Sequence, residues 1–174
     1  MSPPVAKQSL LSALITSPVR PGRLTWIGVR PERRAPLAVS RSAVLIAGRG
    51  IEGDHYQTSN NGARQVTLIA SEDLAAIAAF LGRETVDPGL LRRNFVTAGI
   101  NLVALKRRYF RIGGALLEAT GECAPCSRME EAFGSGGYSA VRGRGGLTAR
   151  ILEGATIAIG DEIAPVPIDA AVNE

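Results

Sequence analysis

The two cysteines of this chain stand three residues apart in "GECAPCSRMEEAFGSGG", residues 121–137. A C-x-x-C spacing serves four chemistries: a disulfide, half of a metal site, a redox pair, or one reactive thiol with a bystander. Zinc held by two cysteines draws two further Cys or His ligands. The only histidine is His55, so a structural zinc is not expected. A thioredoxin-type pair calls for a βαβ context, which the surrounding residues do not suggest. Ser127-Arg128-Met129-Glu130 reads as a capping box, with Gly134 as a stop, so a short helix is expected to start right after Cys126. That places the Cys126 sulfur beside a helix N-terminus, with Arg128 in the same turn and Pro125 stiffening the approach. Each feature favours thiolate. Cys126 is therefore the expected reactive thiol and Cys123 the bystander. The plainer alternative is a small buried hydrophobe, as free Cys often is. On this reading Ser127→Ala costs about 0.5–2 kcal/mol of helix stability.

Two basic clusters accompany the cysteines, "RRN" (Arg92, Arg93, Asn94) and "RGRGG" (Arg142 to Gly146). Guanidinium forks suit phosphates and planar heterocycles, and the Gly-rich backbone around Gly145 could form an amide nest for an anion. If one ligand is served, Arg92, Arg93, Arg128, Arg142 and Arg144 should meet around Cys126. Asn94 then adds a directional hydrogen bond, with Arg93 and Arg144 foremost. The alternative is solvated surface charge. The formal net charge of +4 points to an anionic partner without naming it. Neither cluster interleaves with aromatics, so nucleic acid is an unlikely partner on stacking grounds. "GRGIEG" (Gly48, Gly50, Gly53) has the outline of a dinucleotide fingerprint, but the polar, turn-rich "DHYQTSNNGAR" follows it in place of a helix. A turn leading Asp54, His55 and Tyr56 to the rim of a site is the better reading, with His55 as a site member or a plain loop residue.

The elements that must position these residues are mostly strands. The chain has 174 residues, 45% hydrophobic and 21% charged, with 20 glycines and 10 prolines. This is one domain's worth of an ordinary globular chain rich in turns. "RLTWIGVRP", "SAVLIAG", "RQVTLIA", "FVTAGI", "ALLEAT", "LTARILE" and "GATIAIGDEI" read as strands. "SEDLAAIAAFLG" is the clearest helix, with Ser71 as cap, acidic residues in its first turn and Gly82 as its end. "DPGLLRRN" reads as one helical turn. "SLLSALITS" (Ser9–Ser17) has only Lys7 as a charged flank and no A-x-A cleavage site after it, and is read as a first strand rather than a signal peptide. With no regular βαβ repeat, the expected class is mainly β with short helices, an antiparallel barrel. No apolar run reaches the roughly 20 residues of a membrane span, so no membrane and a cytoplasmic location are expected.

Taken in order, "GRGIEGDHY", "RQVTLI", "RRNFVTAGINLVAL", "FRIGGALLEATGECAPCSRMEE", "RGRGGLTARILEG" and "IAIGD" resemble the MOSC domain, the module named for the C-terminal part of molybdenum cofactor sulfurases. The resemblance divides the chain into an N-terminal segment (1–21), a MOSC domain (22–165) and a C-terminal tail (166–174). It implies a MOSC-type β-barrel. It implies binding of the molybdenum cofactor (molybdopterin), a phosphorylated pterin dithiolene, and a cysteine that handles sulfur or ligates molybdenum. The family's cysteine matches Cys126, and its Arg and Asn before the central strand match Arg92 or Arg93 and Asn94. Phosphate and pterin contacts are then expected among these, Arg128, Arg142, Arg144 and Gly145, with His55 at the rim. Pyridoxal phosphate enters only as a family-level association, through the desulfurase domain of full sulfurases, which this chain lacks. The implied activities are sulfur transfer through a Cys126 persulfide, supplied by a cysteine desulfurase partner, and molybdenum-dependent reduction of N-hydroxylated small-molecule substrates with a reductase partner. The alternatives are a non-catalytic cofactor carrier and a C-x-x-C thiol oxidoreductase.

Overall fold

The computed structural model describes residues 10–167. Its centre is a closed barrel. The contributing strands are β1 (Gly22–Val29), β5 (Val66–Ala70), β6 (Phe95–Ala98), β7 (Tyr109–Ile112), β8 (Ala115–Glu122), β9 (Leu147–Glu153) and β11 (Glu162–Pro165). They are ordered β11-β7-β8-β9-β5-β6-β1, and the β1–β11 pairing (Gly22↔Ile163) closes the ring of seven. Closure leaves no open sheet edge in the ring. The short β2 (Ala38–Ser40) extends β1, while β3 (Ser42–Ile46), β4 (Gly50–Ile51) and β10 (Thr156–Ala158) form a separate ribbon. Every pairing in the ring is antiparallel except β5–β6, where Leu68 faces Phe95 in parallel. The mainly β class, the barrel and the strands expected at these sites are present. β2, β4 and β7 were not anticipated, and the single closing strand expected over Gly154–Ile163 is instead β10 and the start of β11, which lie in different sheets.

β5 shows how the sequence divides two cores. All five of its residues are buried, as in a strand covered on both faces. Side chains alternate along a strand, so Val66 and Leu68 enter the barrel core with Phe95, Phe110 and Leu117. Ile69 joins a second core with Ile77, Leu91, Met129 and Phe133. That second core lies under three helices: α2 (Ser71–Phe80), α3 (Arg128–Phe133) and α4 (Gly137–Val141).

Two expectations are corrected. Leu10–Ile15 is a helix, α1, not a first strand. Leu and Ala are good helix formers, no neighbouring strand offers pairing, and Thr16 closes the turn by donating its amide and hydroxyl to the Ser12 carbonyl. Ser71 does not cap α2. Ala70 is the N-cap, and the Ser71 hydroxyl instead donates to Glu72. Glu72 and Asp73 do occupy the first turn, and Gly82, at φ +64°, ends the helix.

The chain enters β9 through Gly145 and Gly146. Gly146 has φ +85°, and a Cβ there would stand 1.8 Å from the Leu68 carbonyl oxygen. Gly146→Ala combines a left-handed backbone with overpacking against β5, and is expected to lower stability by about 2–4 kcal/mol. Chemical denaturation measures it, and an unchanged midpoint contradicts this packing.

Candidate functional site

Strand ends and their following loops converge beside the second core. They line a cleft of about 390 Å³ that includes Arg30, Asp54, Arg64, Arg93, Cys126 and Arg128. Arg30 follows β1, Arg64 precedes β5, Arg93 and Asn94 precede β6, Cys126 lies in the link between β8 and α3, and Arg128 opens α3. Asp54, in the loop after β4, organises the floor. Its carboxylate accepts from the Arg30 amide (3.0 Å) and the Tyr56 amide (2.9 Å). The His55 amide donates to the Arg30 carbonyl at 2.7 Å, and its Nδ1 lies 3.2 Å from that oxygen and 3.5 Å from Asp54. The glycine run from Gly48 to Gly53 thus forms the turn around β4 that delivers this loop, and no helix follows it.

Arg93 is buried, 3% exposed, with no carboxylate partner among the described residues. Its Nε donates to the Gly145 carbonyl at 2.7 Å, one Nη to Leu91 and the other to Cys123. Burial pushes its pKa below the usual guanidinium range. The Cys123 thiol opposes that shift, Arg64 adds to it, and Cys126 opposes it. Arg30 is also buried, its Nε has no hydrogen-bond partner, and burial lowers its pKa, with Asp54 opposing and Arg128 adding. Arg30, Arg64, Arg92, Arg93 and Arg128 all line the cleft, against the single carboxylate of Asp54. None of the five forms a salt bridge among the described residues. Such a cleft attracts an anion with several acceptor oxygens.

The sequence-derived residues divide. Cys126, Arg92, Arg93, Asn94, Arg128 and His55 line the cleft together. Arg142, Arg144 and Gly145 do not. Arg144 is exposed, pairs with Asp73 at 3.0 Å and lies over Phe80 at 5.8 Å. Arg142 and Gly145 line a smaller pocket on the far side of the Cys123–Pro125 strap. The second basic cluster is therefore not an anion nest in this cleft. Its glycines serve close approach, since a Cβ at Gly145 would stand 1.9 Å from the Cys123 carbonyl oxygen. Asn94 is present but engaged: its Oδ1 accepts from the amide and hydroxyl of Thr67, both at 3.0 Å, so that oxygen ties β5 to the approach to β6. Arg30 and Arg64 were missed. Their signal is position, since each directly flanks a strand-like run, "RLTWIGVR" and "RQVTLIA".

The cysteines differ in exposure rather than through a helix cap. Cys126 is exposed, whereas Cys123 is buried, and both are free. Cys123 sits in the strap, where an Arg64 Nη lies 3.4 Å from its sulfur. The capping box is not formed. Ser127 already has helical dihedrals and makes no side-chain cap bond. Glu130 reaches forward and accepts from the amides of Gly136 (2.9 Å) and Tyr138 (3.1 Å). The α3 helix spans only six residues, and the buried guanidinium that lines the cleft with Cys126 is Arg93.

Comparison with known proteins agrees with this architecture. The MOSC domain family model matches residues 52–164, more than half of the chain, and the chain belongs to that family. No curated protein sequence matches it significantly. Among solved structures, YuaD from Bacillus subtilis is similar with a TM-score of 0.73 at 19% identity, over 83% of this chain and 95% of that one. YiiM from Escherichia coli gives 0.62 at 18% identity, over 83% and 69%. YiiM from Geobacillus stearothermophilus gives 0.61 at 16% identity, over 83% and 75%. At these identities the likeness is one of fold. Among the described residues, no helix is long and apolar enough to cross a membrane.

Two outcomes test the site. In competitive alkylation at neutral pH, read by mass spectrometry, Cys126 should label faster than Cys123, and equal rates would contradict the strap geometry. In thermal unfolding, Ser127→Ala should be near neutral, whereas Glu130→Ala should cost about 1 kcal/mol through two lost charge-assisted bonds at a surface site. The reverse order would restore the capping box.

Proposed function

We infer that this MOSC protein binds the molybdenum cofactor in the cleft beside β5 and β6, with Cys126 as the residue that ligates the metal or carries sulfur. One observation carries the reading: five arginines without salt bridges among the described residues line the cleft of the exposed Cys126, and the Arg30 Nε is buried with no hydrogen-bond partner among them. The donor set suits a phosphorylated, negatively charged group. Guanidinium forks match phosphate oxygens, and a thiolate suits a soft metal. Arg30, Arg64 and Arg128 would hold the anionic groups, while Arg93 keeps a fixed positive charge behind the cysteine strap. Asp54 orients the Arg30 end of the cleft through its backbone bonds. When bound, the cofactor supplies a redox-active metal and sulfur ligands.

The activity that fits this arrangement is reduction of an N-hydroxylated compound, with electrons from a reductase partner. Exposure of Cys126 favours a second reading, sulfur transfer: a cysteine desulfurase partner can reach this sulfur and leave a persulfide on it. The C-x-x-C oxidoreductase reading is weaker, because Cys123 is buried and the parallel β5–α2–β6 unit does not carry the cysteines.

Protein from a cofactor-producing host is expected to contain molybdenum and a releasable pterin, and protein from a cofactor-deficient host neither. Loss of one charge-assisted contact contributes roughly 1.5–3 kcal/mol, so Arg128→Ala should weaken retention about ten- to a hundredfold, with Arg144→Ala unaffected. Cys126→Ala should abolish the reduction of a hydroxylamine probe or the persulfide mass shift, and which of the two appears in the parent protein separates the readings. Equal, negligible molybdenum from both hosts defeats the inference.

A further inference from the structure

The cleft does not end at its arginines. Arg30, Leu37, Arg92 and Arg128 also line a second, outer chamber of about 640 Å³. Cys126, Arg64 and Arg93 line only the inner part, whereas Trp26, Arg34 and Leu90 line only the outer. The outer chamber therefore adds an indole face and the Leu90 side chain to the arginines the two share. Trp26 is half-buried in β1, and its benzo ring lies against Gly28, where a Cβ would stand 2.2 Å from Cη2. Neither cation–ring contact among the described residues involves Trp26.

Backbone strain adds a second observation. Only four non-glycine residues among those described have positive φ: Arg34 (69°), Asn61, Arg92 (60°) and Arg107. Two of the four, Arg34 and Arg92, line this chamber. Left-handed backbone costs an L residue about 1–2 kcal/mol, and such strain concentrates where a side chain must point in a particular direction. The chamber also holds Asp87 and Glu131. Asp87 is tied down, accepting from the Gly89 amide at 2.8 Å, and Glu131 is exposed. Arginine still outnumbers carboxylate among its walls.

We propose that the outer chamber binds an organic anion with a flat aromatic body, an aryl carboxylate in its simplest form, seated on Trp26 and Leu37 with its charge on Arg34 and Arg92. The proposal deepens the cofactor-binding reading by naming the class of small molecule presented to the inner cleft. The shared wall of Arg30, Leu37, Arg92 and Arg128 puts the two ligands side by side.

Trp26 is the only tryptophan of the chain, so its fluorescence reports this chamber. The test uses cofactor-free full-length protein titrated with 4-nitrobenzoate, and it is read independently of molybdenum content, so its failure is distinct from failure of cofactor binding. Saturable quenching is expected, with affinity about tenfold weaker in Arg34→Ala, partly recovered in Arg34→Lys and unchanged in Arg144→Ala. Uncharged nitrobenzene should quench only in proportion to its concentration. Non-saturating quenching by 4-nitrobenzoate, or saturable quenching with equal affinity in the parent and Arg34→Ala, would overturn the proposal. Loss of the 4-nitrobenzoate site in protein loaded with cofactor would also overturn it, because the chamber would then belong to the cofactor itself.

Discussion

The buried guanidinium of Arg93 is the constraint on which this site depends. A cation without a carboxylate partner is costly to bury unless its donors are matched. Arg93 meets that demand with the backbone carbonyls of Gly145, Leu91 and Cys123. Those three carbonyls belong to separate segments: the entry to β9, the turn before β6 and the cysteine strap. One side chain thus fixes the strap against the barrel and sets a permanent positive charge behind the exposed thiol. Because no carboxylate neutralises it, that charge acts on whatever enters the cleft.

The parallel β5–β6 pair supplies the platform. Parallel neighbours present their N-terminal ends on the same side, so Arg64 and Thr67 come to lie beside Arg93 and Asn94. Asn94 and Thr67 bond each other through side chain and backbone, which satisfies polar groups that the barrel wall would otherwise bury unmatched. The alternation along β5 does the rest. Leu68 seals the barrel, while Thr67 and Ile69 face outward, one beneath the cleft and one beneath the helices. The site occupies the part of the outer surface that the helices leave uncovered.

Charge count alone does not make a binding site. Arg144 is as basic as Arg128, yet Asp73 pairs with it and its guanidinium lies over the Phe80 ring. The arginines of the cleft differ because, among the described residues, the fold gives them no salt-bridge partners while several line one cleft. Arg128 even works against Arg30 in the electrostatics of the site. Like charges held this way lower the cost of binding an anion.

By itself, the sequence determined most of the barrel strands, whose β-rich runs are bounded by turns, though not β7, and the family, whose motifs occur in order along the chain. It also marked Cys126, Arg92, Arg93, Arg128 and His55, since all stand in polar, turn-adjacent segments of unusual composition. It could not decide what Ser127 and Glu130 do, because S-x-x-E has the same appearance whether Glu130 reaches back to a cap or forward to the amides of Gly136 and Tyr138. Nor could it separate the glycines of "RGRGG" as an anion nest from glycines required where the backbone passes Cys123 and Leu68. The same limit hid Arg30 and Arg64, which become site residues only when strands distant in sequence are brought side by side. Tertiary structure decided these points, because hydrogen-bond partners and close approaches are pairings across the fold, and local spacing carries no record of which distant carbonyl or carboxylate will be near.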